Sequence, residues 1–170
     1  MTTTVDTNYN QVGALAVKSG FNQLQAEARK LINDAAATRT LLRSESGSVC
    51  FFDSAAGVVY TLPTIDDVSQ IGIYYDFFCS VTITSNSAKV ITGSAAEFIL
   101  GQVNIQIATS ATTLAAAFNG SSHVAITMNG STTGGVIGTN FRLTAISLTQ
   151  WMIQGTVCGS GSIATPAATS

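Results

Sequence analysis

The amino-acid sequence predicts a mainly β fold: an antiparallel β-sandwich or jelly-roll-like domain preceded by an N-terminal arm and one amphipathic α-helix. Three observations carry this prediction. From residue 46 onward, short runs rich in Val, Ile, Phe and Thr recur at roughly ten-residue spacing with turn residues between them, the pattern of a sandwich, jelly roll or barrel. Near the end, a Gly-rich loop (Gly134, Gly135, Gly138) leads into a hairpin. There Phe141, Leu143 and Ala145 alternate with Arg142 and Thr144, and Trp151, Ile153 and Val157 alternate with Met152, Gln154 and Thr156. Between residues 19 and 38 the period changes instead to three and four, with Phe21, Leu24, Ala28, Leu31 and Ala35 on one stripe among good helix formers.

Taken in order, residues 1–17 form a polar arm with few anchors, and the helix follows with Ser19 as its cap. A single narrow apolar stripe does not hold a helix in water, so this one has to cover something: the chain's own sheet, copies of itself or a neighbouring protein. Residues 1–43 are read as arm and helix, 44–158 as the β domain and 159–170 as a flexible tail. Within the β domain, 48–52 and 58–62 read as a hairpin whose second strand stops at Pro63, and 64–68 as one helical turn capped by Thr64. Strands are expected at 71–79, 81–84, 89–92, 97–100 and 103–108. Those at 112–118 and 123–128 are punctuated by Asn119 with Gly120 and Asn129 with Gly130, residues that accept the positive φ of tight turns.

Composition narrows the function classes. Charged residues make up 9% of the 170, against ~25% in ordinary soluble domains. A surface of Ser, Thr and Asn with so little charge fits a protein held in a rigid complex rather than one kept apart by its own charge. Mean hydropathy of +0.36 and the β-branched runs exclude disorder for most of the chain. The longest apolar runs are interrupted within a few residues by polar ones, so no membrane span is expected. A net charge of −2 and a pI near 5.1 give nucleic acid no electrostatic footing. No secretory leader is readable, and synthesis in a cytoplasm is expected.

The residues that carry chemistry are few. Cys50, Cys79 and Cys158 are odd in number and lack CxxC spacing, so free buried thiols are expected and neither a disulfide framework nor a zinc site. The single histidine, His123, would have to serve any metal site or Ser/His/Asp triad, and no nucleophile motif surrounds any serine. Asp66, Asp67, Asp76 and Glu97 are the carboxylates a glycosidase would need, and turn and capping roles account for the first two. The glycines at 134–138 lack the Lys-Ser/Thr of a phosphate loop. No catalytic residue, cofactor or metal is therefore expected. The candidate assembly interface is Phe21, Leu24, Ala28 and Leu31 on the helix, Arg39 and Arg43 after it, and Tyr75 and Phe77 in the aromatic strand.

The stretches SGSVCFFDSAAGVVYTLP, TTGGVIGTNFRLTAI, QWMIQG and SGSIATP lie between residues 40 and 166. Through them the chain resembles the β-structured virion proteins of tailed bacteriophages, above all the capsid decoration or cement proteins. The resemblance implies a homotrimer on the outer surface of the virion capsid, partnered by the major capsid protein, that reinforces the head. A tail-fibre or tailspike module that binds host-surface glycan is the alternative from a different class. The segment before residue 40 lies outside the resemblance.

Overall fold

The computed structural model describes residues 29–33, 37–85, 88–107 and 113–170. The expected arm, the expected helix as far as Ala28, and its residues 34–36 with Ala35 lie outside these residues. The unit that contains almost all of the described chain runs from Leu31 to Ser170, so strand pairing starts well ahead of the boundary expected at residue 44. Leu31 and Ile32, expected within the helix over residues 19–38, instead form β1 (Leu31–Ile32), paired in parallel with Val49 and Cys50. Leu31 is exposed and Ile32 is buried beside Cys50, as neighbours on opposite faces of a strand are. No α-helix occurs among the described residues, which hold two 3-10 turns, Arg43–Glu45 and Val68–Gln70.

The next strands are β2 (Thr38–Thr40), β3 (Val49–Phe52), β4 (Val59–Thr61), β5 (Tyr74–Cys79) and β6 (Ala88–Ile91). They alternate between two sheets. β1, β3 and β5 are parallel neighbours in one, and β2, β4 and β6 are parallel neighbours in the other. The hairpin expected over residues 48–62 is therefore not formed. In a hairpin Phe52 and Tyr60 would lie on one sheet, whereas here they face each other across the core, ring edge to ring face at 5.3 Å. Tyr60 also donates its hydroxyl proton to the Phe51 carbonyl at 2.7 Å, which secures the crossing.

The remaining strands are β7 (Phe98–Ile107), β8 (Thr113–Asn119), β9 (Ala125–Met128), β10 (Asn140–Ser147), β11 (Gln150–Gly159) and β12 (Ala167–Ala168). The seven-stranded sheet has the order β1-β3-β5-β10-β11-β7-β8, and the five-stranded sheet β12-β9-β6-β4-β2. Both sheets are mixed, not antiparallel as expected, since β11 also runs parallel to β7. The late hairpin forms as the alternation requires, with Arg142 opposite Gln154 and Leu143 opposite Ile153. β8 and β9 belong to different sheets, so the turn at Gly120 carries the chain between layers rather than closing a hairpin. The tail expected to be flexible contributes β12, paired to β9, and Ile163, packed on the core.

One in-register row spans the whole seven-stranded sheet on its inner face: Ile32, Cys50, Phe77, Phe141, Gly155, Val103 and Ala116. The inner side chains of both sheets join one buried cluster that includes Tyr60, Val90, Ile126 and Met128 from the five-stranded sheet. Trp151 is the largest side chain in it and is fully buried. Cross-strand pairs of this kind are the unit of sheet stability, and a one-residue slip would turn the entire row to solvent.

Candidate assembly surfaces

The strand ends define two ends of the body. At one of them lie the turn Arg43–Glu45, the loop from Leu62 through Ile73, and the β10–β11 turn. Backbone hydrogen bonds join these pieces: the Gly72 N–H donates to the Ala145 carbonyl at 2.8 Å, and the Ala145 N–H to the Ile73 carbonyl at 2.9 Å. Val68, Ile71, Ile146 and Leu148 are held there with 68%, 43%, 37% and 42% of their surface exposed. Leu42 sits at the same end, its carbonyl accepting the Tyr75 hydroxyl at 2.7 Å, and is itself exposed.

The charges at this end are tied to one another. Arg39 pairs with the buried Glu45 at 2.7 Å, and the second Glu45 oxygen accepts the Leu42 N–H at 2.9 Å. Arg43 donates to the Thr64 carbonyl at 2.8 Å and to Asp66 at 2.7 Å. Hydrogen bonds from Arg43 and then Gln70 hold the Asp66 carboxyl below its usual range, and the Ser69 side chain and N–H do the same for Asp67. A lowered carboxylate pKa stabilises the loop above the ordinary carboxylate range, and this support disappears as pH falls through the lowered value. Asp67, not Thr64, caps the turn, which forms at Val68–Gln70 rather than at 64–68.

Glu97, alone in the charge-poor half of the sequence, is 2% exposed. One of its oxygens accepts the Ile65 N–H at 2.8 Å and the other the Trp151 Nε1–H at 2.9 Å. It therefore ties the 62–66 loop to the core. Trp151 opposite a buried acid is a pairing that sequence reading missed, because 54 residues separate the partners.

The expected interface residues have separate fates. Phe21, Leu24 and Ala28 lie outside the described residues. Leu31 is 59% exposed on an edge strand, and Arg39 and Arg43 are engaged in the ion pairs above. Tyr75 and Phe77 have no exposed surface: Phe77 stacks on Phe141 at 5.2 Å and Tyr75 leans on Trp151. Burial on the inner face of the central strand β5 uses both in the chain's own core, so neither is presented to a partner. Of the residues that are presented, Val68, Ile71 and Leu148 stand in turns, where alternation carries no signal, and Ile146 stands on the outward side of β10.

No group of three or more His, Cys, Asp or Glu suited to a metal occurs among the described residues. His123 accepts the Asn119 N–H at Nδ1, 3.1 Å, and meets the Phe118 ring edge-on, so it serves the β8–β9 turn. All three cysteines are free thiols. Burial pushes the Cys79 thiol up to about 12, and raises Cys158 in the same direction. A raised thiol pKa favours the fold at neutral pH, and that contribution is lost as pH climbs from the ordinary thiol range toward about 12. Since both side chains are buried and closed to the reagent, Cys50 and Cys79 are expected to resist iodoacetamide at pH 8 in the native protein and to react readily in about 6–8 M urea. Mass spectrometry of time points reads this directly; rapid native labelling at Cys79 would contradict the burial.

No protein-family model, curated protein or solved structure matches this chain.

Proposed function

We propose that this chain is a structural virion protein of a tailed bacteriophage, a decoration protein that binds the outer capsid surface as a homotrimer and stabilises the head. The observation that carries this reading is the group of exposed apolar residues Val68, Ile71, Ile146 and Leu148, at an end where Arg39 and Arg43 are already engaged in ion pairs. From Phe98 to Ser170 the only formally charged side chain is Arg142. Large apolar residues gathered at one end mark a surface that another protein covers, and the sequence resemblance names the major capsid protein as that partner. The two facing sheets, read as a sandwich, supply a stiff support, and three such ends on one trimer would clamp neighbouring capsid subunits through multivalency.

The test is to add the purified chain to phage heads that lack it and image the particles. Ordered density at three-fold sites and improved resistance of the heads to heat support the reading; trimers that ignore heads but adsorb to host cells favour the fibre module. The variant Ile71→Asp with Leu148→Asp is expected to weaken head binding by roughly tenfold or more, since about two-fifths of the ~1.5–3 kcal/mol for burying a large apolar side chain remains to be gained at each. Both positions are exposed in the free chain, so its melting temperature should hardly move.

A further inference from the structure

The outer face of the seven-stranded sheet holds a depression that the assembly reading leaves unused. Its volume is 430 Å³, within the ~300–1,000 Å³ span of small-ligand pockets, and it lies over β5, β10, β11 and β7. Two register rows build it. One runs Asp76, Arg142, Gln154; the other runs Phe78, Asn140, Thr156, Asn104. Strand pairing fixes these side chains side by side on a rigid platform, each at the spacing of adjacent strands, roughly 4.8 Å.

We infer that this depression is a binding site for one ring of a neutral sugar, the terminal or exposed unit of a glycan. The lining decides the class. Arg142 and Asp76 neutralise each other through two parallel bonds of 2.7 Å, with the guanidinium 4.4 Å from the centre of the Tyr74 ring. Among the described residues no other charged side chain lines the depression, so an anionic ligand such as a phosphate or a sialic acid would find no uncompensated cation there. A wholly apolar ligand would desolvate the amides of Asn104, Asn140 and Gln154 without replacing their hydrogen bonds.

A sugar ring meets both demands. Each carboxamide offers a donor pair and an acceptor in one plane, and the Thr156 hydroxyl offers both roles, which matches hydroxyl groups that also donate and accept. Asn140 is already oriented, since its amide donates to the Gly138 carbonyl at 2.9 Å and so leaves its oxygen as a positioned acceptor. Phe78 is 38% exposed beside these amides and stacks on Phe51 at 5.9 Å, a flat apolar platform for the C–H face of the ring. The inference does not depend on where the protein sits in an assembly, because this face is distinct from the apolar end.

The test uses the full chain and four probes: the methyl glycosides of glucose, galactose and N-acetylglucosamine, with sialic acid as the anionic comparison. Saturation-transfer NMR and amide shift titrations of the unaltered protein are expected to give saturable binding of at least one neutral glycoside in the millimolar range. The shifts should centre on Asn104, Asn140 and Thr156. The variant Asn104→Ala with Gln154→Ala, at two exposed positions that leave the core intact, is expected to weaken that binding at least tenfold. Three results would each overturn the site: no saturable binding of any neutral probe, shifts centred elsewhere, or sialic acid preferred over every neutral glycoside. Head binding by the same double variant should be unchanged, so failure of the sugar site and failure of the decoration reading are told apart.

Discussion

Replacing Glu97 by Ala is expected to lower the unfolding free energy by about 2–6 kcal/mol, because it leaves two buried donors, the Ile65 N–H and the Trp151 indole N–H, without an acceptor. Each orphaned donor costs about 1–3 kcal/mol, and the lost methylenes open a cavity in addition. For a domain of this size, that corresponds to a fall of roughly 5–20 °C in melting temperature. Glu97→Gln is expected to fall between the two: its carbonyl oxygen still accepts one proton, while its NH2 confronts the other donor. Urea denaturation followed by tryptophan fluorescence is the measurement, and it is unusually direct because Trp151 is the only tryptophan in the chain. A loss below 1 kcal/mol for Glu97→Ala would mean that the acid does not hold the loop. The consequence reaches function, since the 62–66 loop that Glu97 anchors leads straight into Val68 and Ile71 at the apolar end.

Period-two alternation made much of the strand content legible, and it worked best where a strand has one buried and one solvated face. β10 and β11 are of that kind: Leu143 and Ile153 point in while Arg142 and Gln154 point out, and the pairing follows from the pattern. Alternation says nothing about which sheet a strand joins. Val49–Phe52 and Val59–Thr61 look like hairpin arms because a short loop with glycine separates them, yet the loop crosses between layers and each strand finds parallel neighbours some twenty or more residues away. Helical spacing misled at Leu31 for a related reason: a stripe in the sequence does not announce a distant strand partner, and Leu31 and Ile32 pair with Val49 and Cys50. The candidate sites were hidden differently. The sugar depression draws on four strands, and only the completed register brings Asp76, Asn104, Arg142 and Thr156 to one face.

A matched pair of glycine substitutions separates backbone strain from steric exclusion. Gly130 and Gly161 have nearly the same left-handed backbone, with φ of 73° and 72°. A Cβ at Gly161 would meet nothing within 4 Å, whereas one at Gly130 would stand 1.5 Å from the Ile83 carbonyl oxygen. Gly161→Ala is therefore expected to cost only the left-handed penalty of an L side chain, about 1–2 kcal/mol. Gly130→Ala carries that penalty and also forces apart two backbones, neither of which can yield. The Gly130 N–H is bonded to the Gly134 carbonyl at 2.6 Å, and the Ile83 N–H to the Gly135 carbonyl at 2.9 Å, so moving either segment breaks the clasp between the 80–85 loop and the glycine loop. Its cost is expected to exceed about 4 kcal/mol, the range reserved for single substitutions that wreck a local arrangement, and the protein should be recovered largely insoluble or unfolded. Circular dichroism melts of the two variants in parallel make the comparison. Equal losses would mean that the Gly130 approach relaxes freely; a much larger loss at Gly130 would establish that the neighbouring Ile83 backbone, in addition to the turn's own left-handed conformation, requires glycine there.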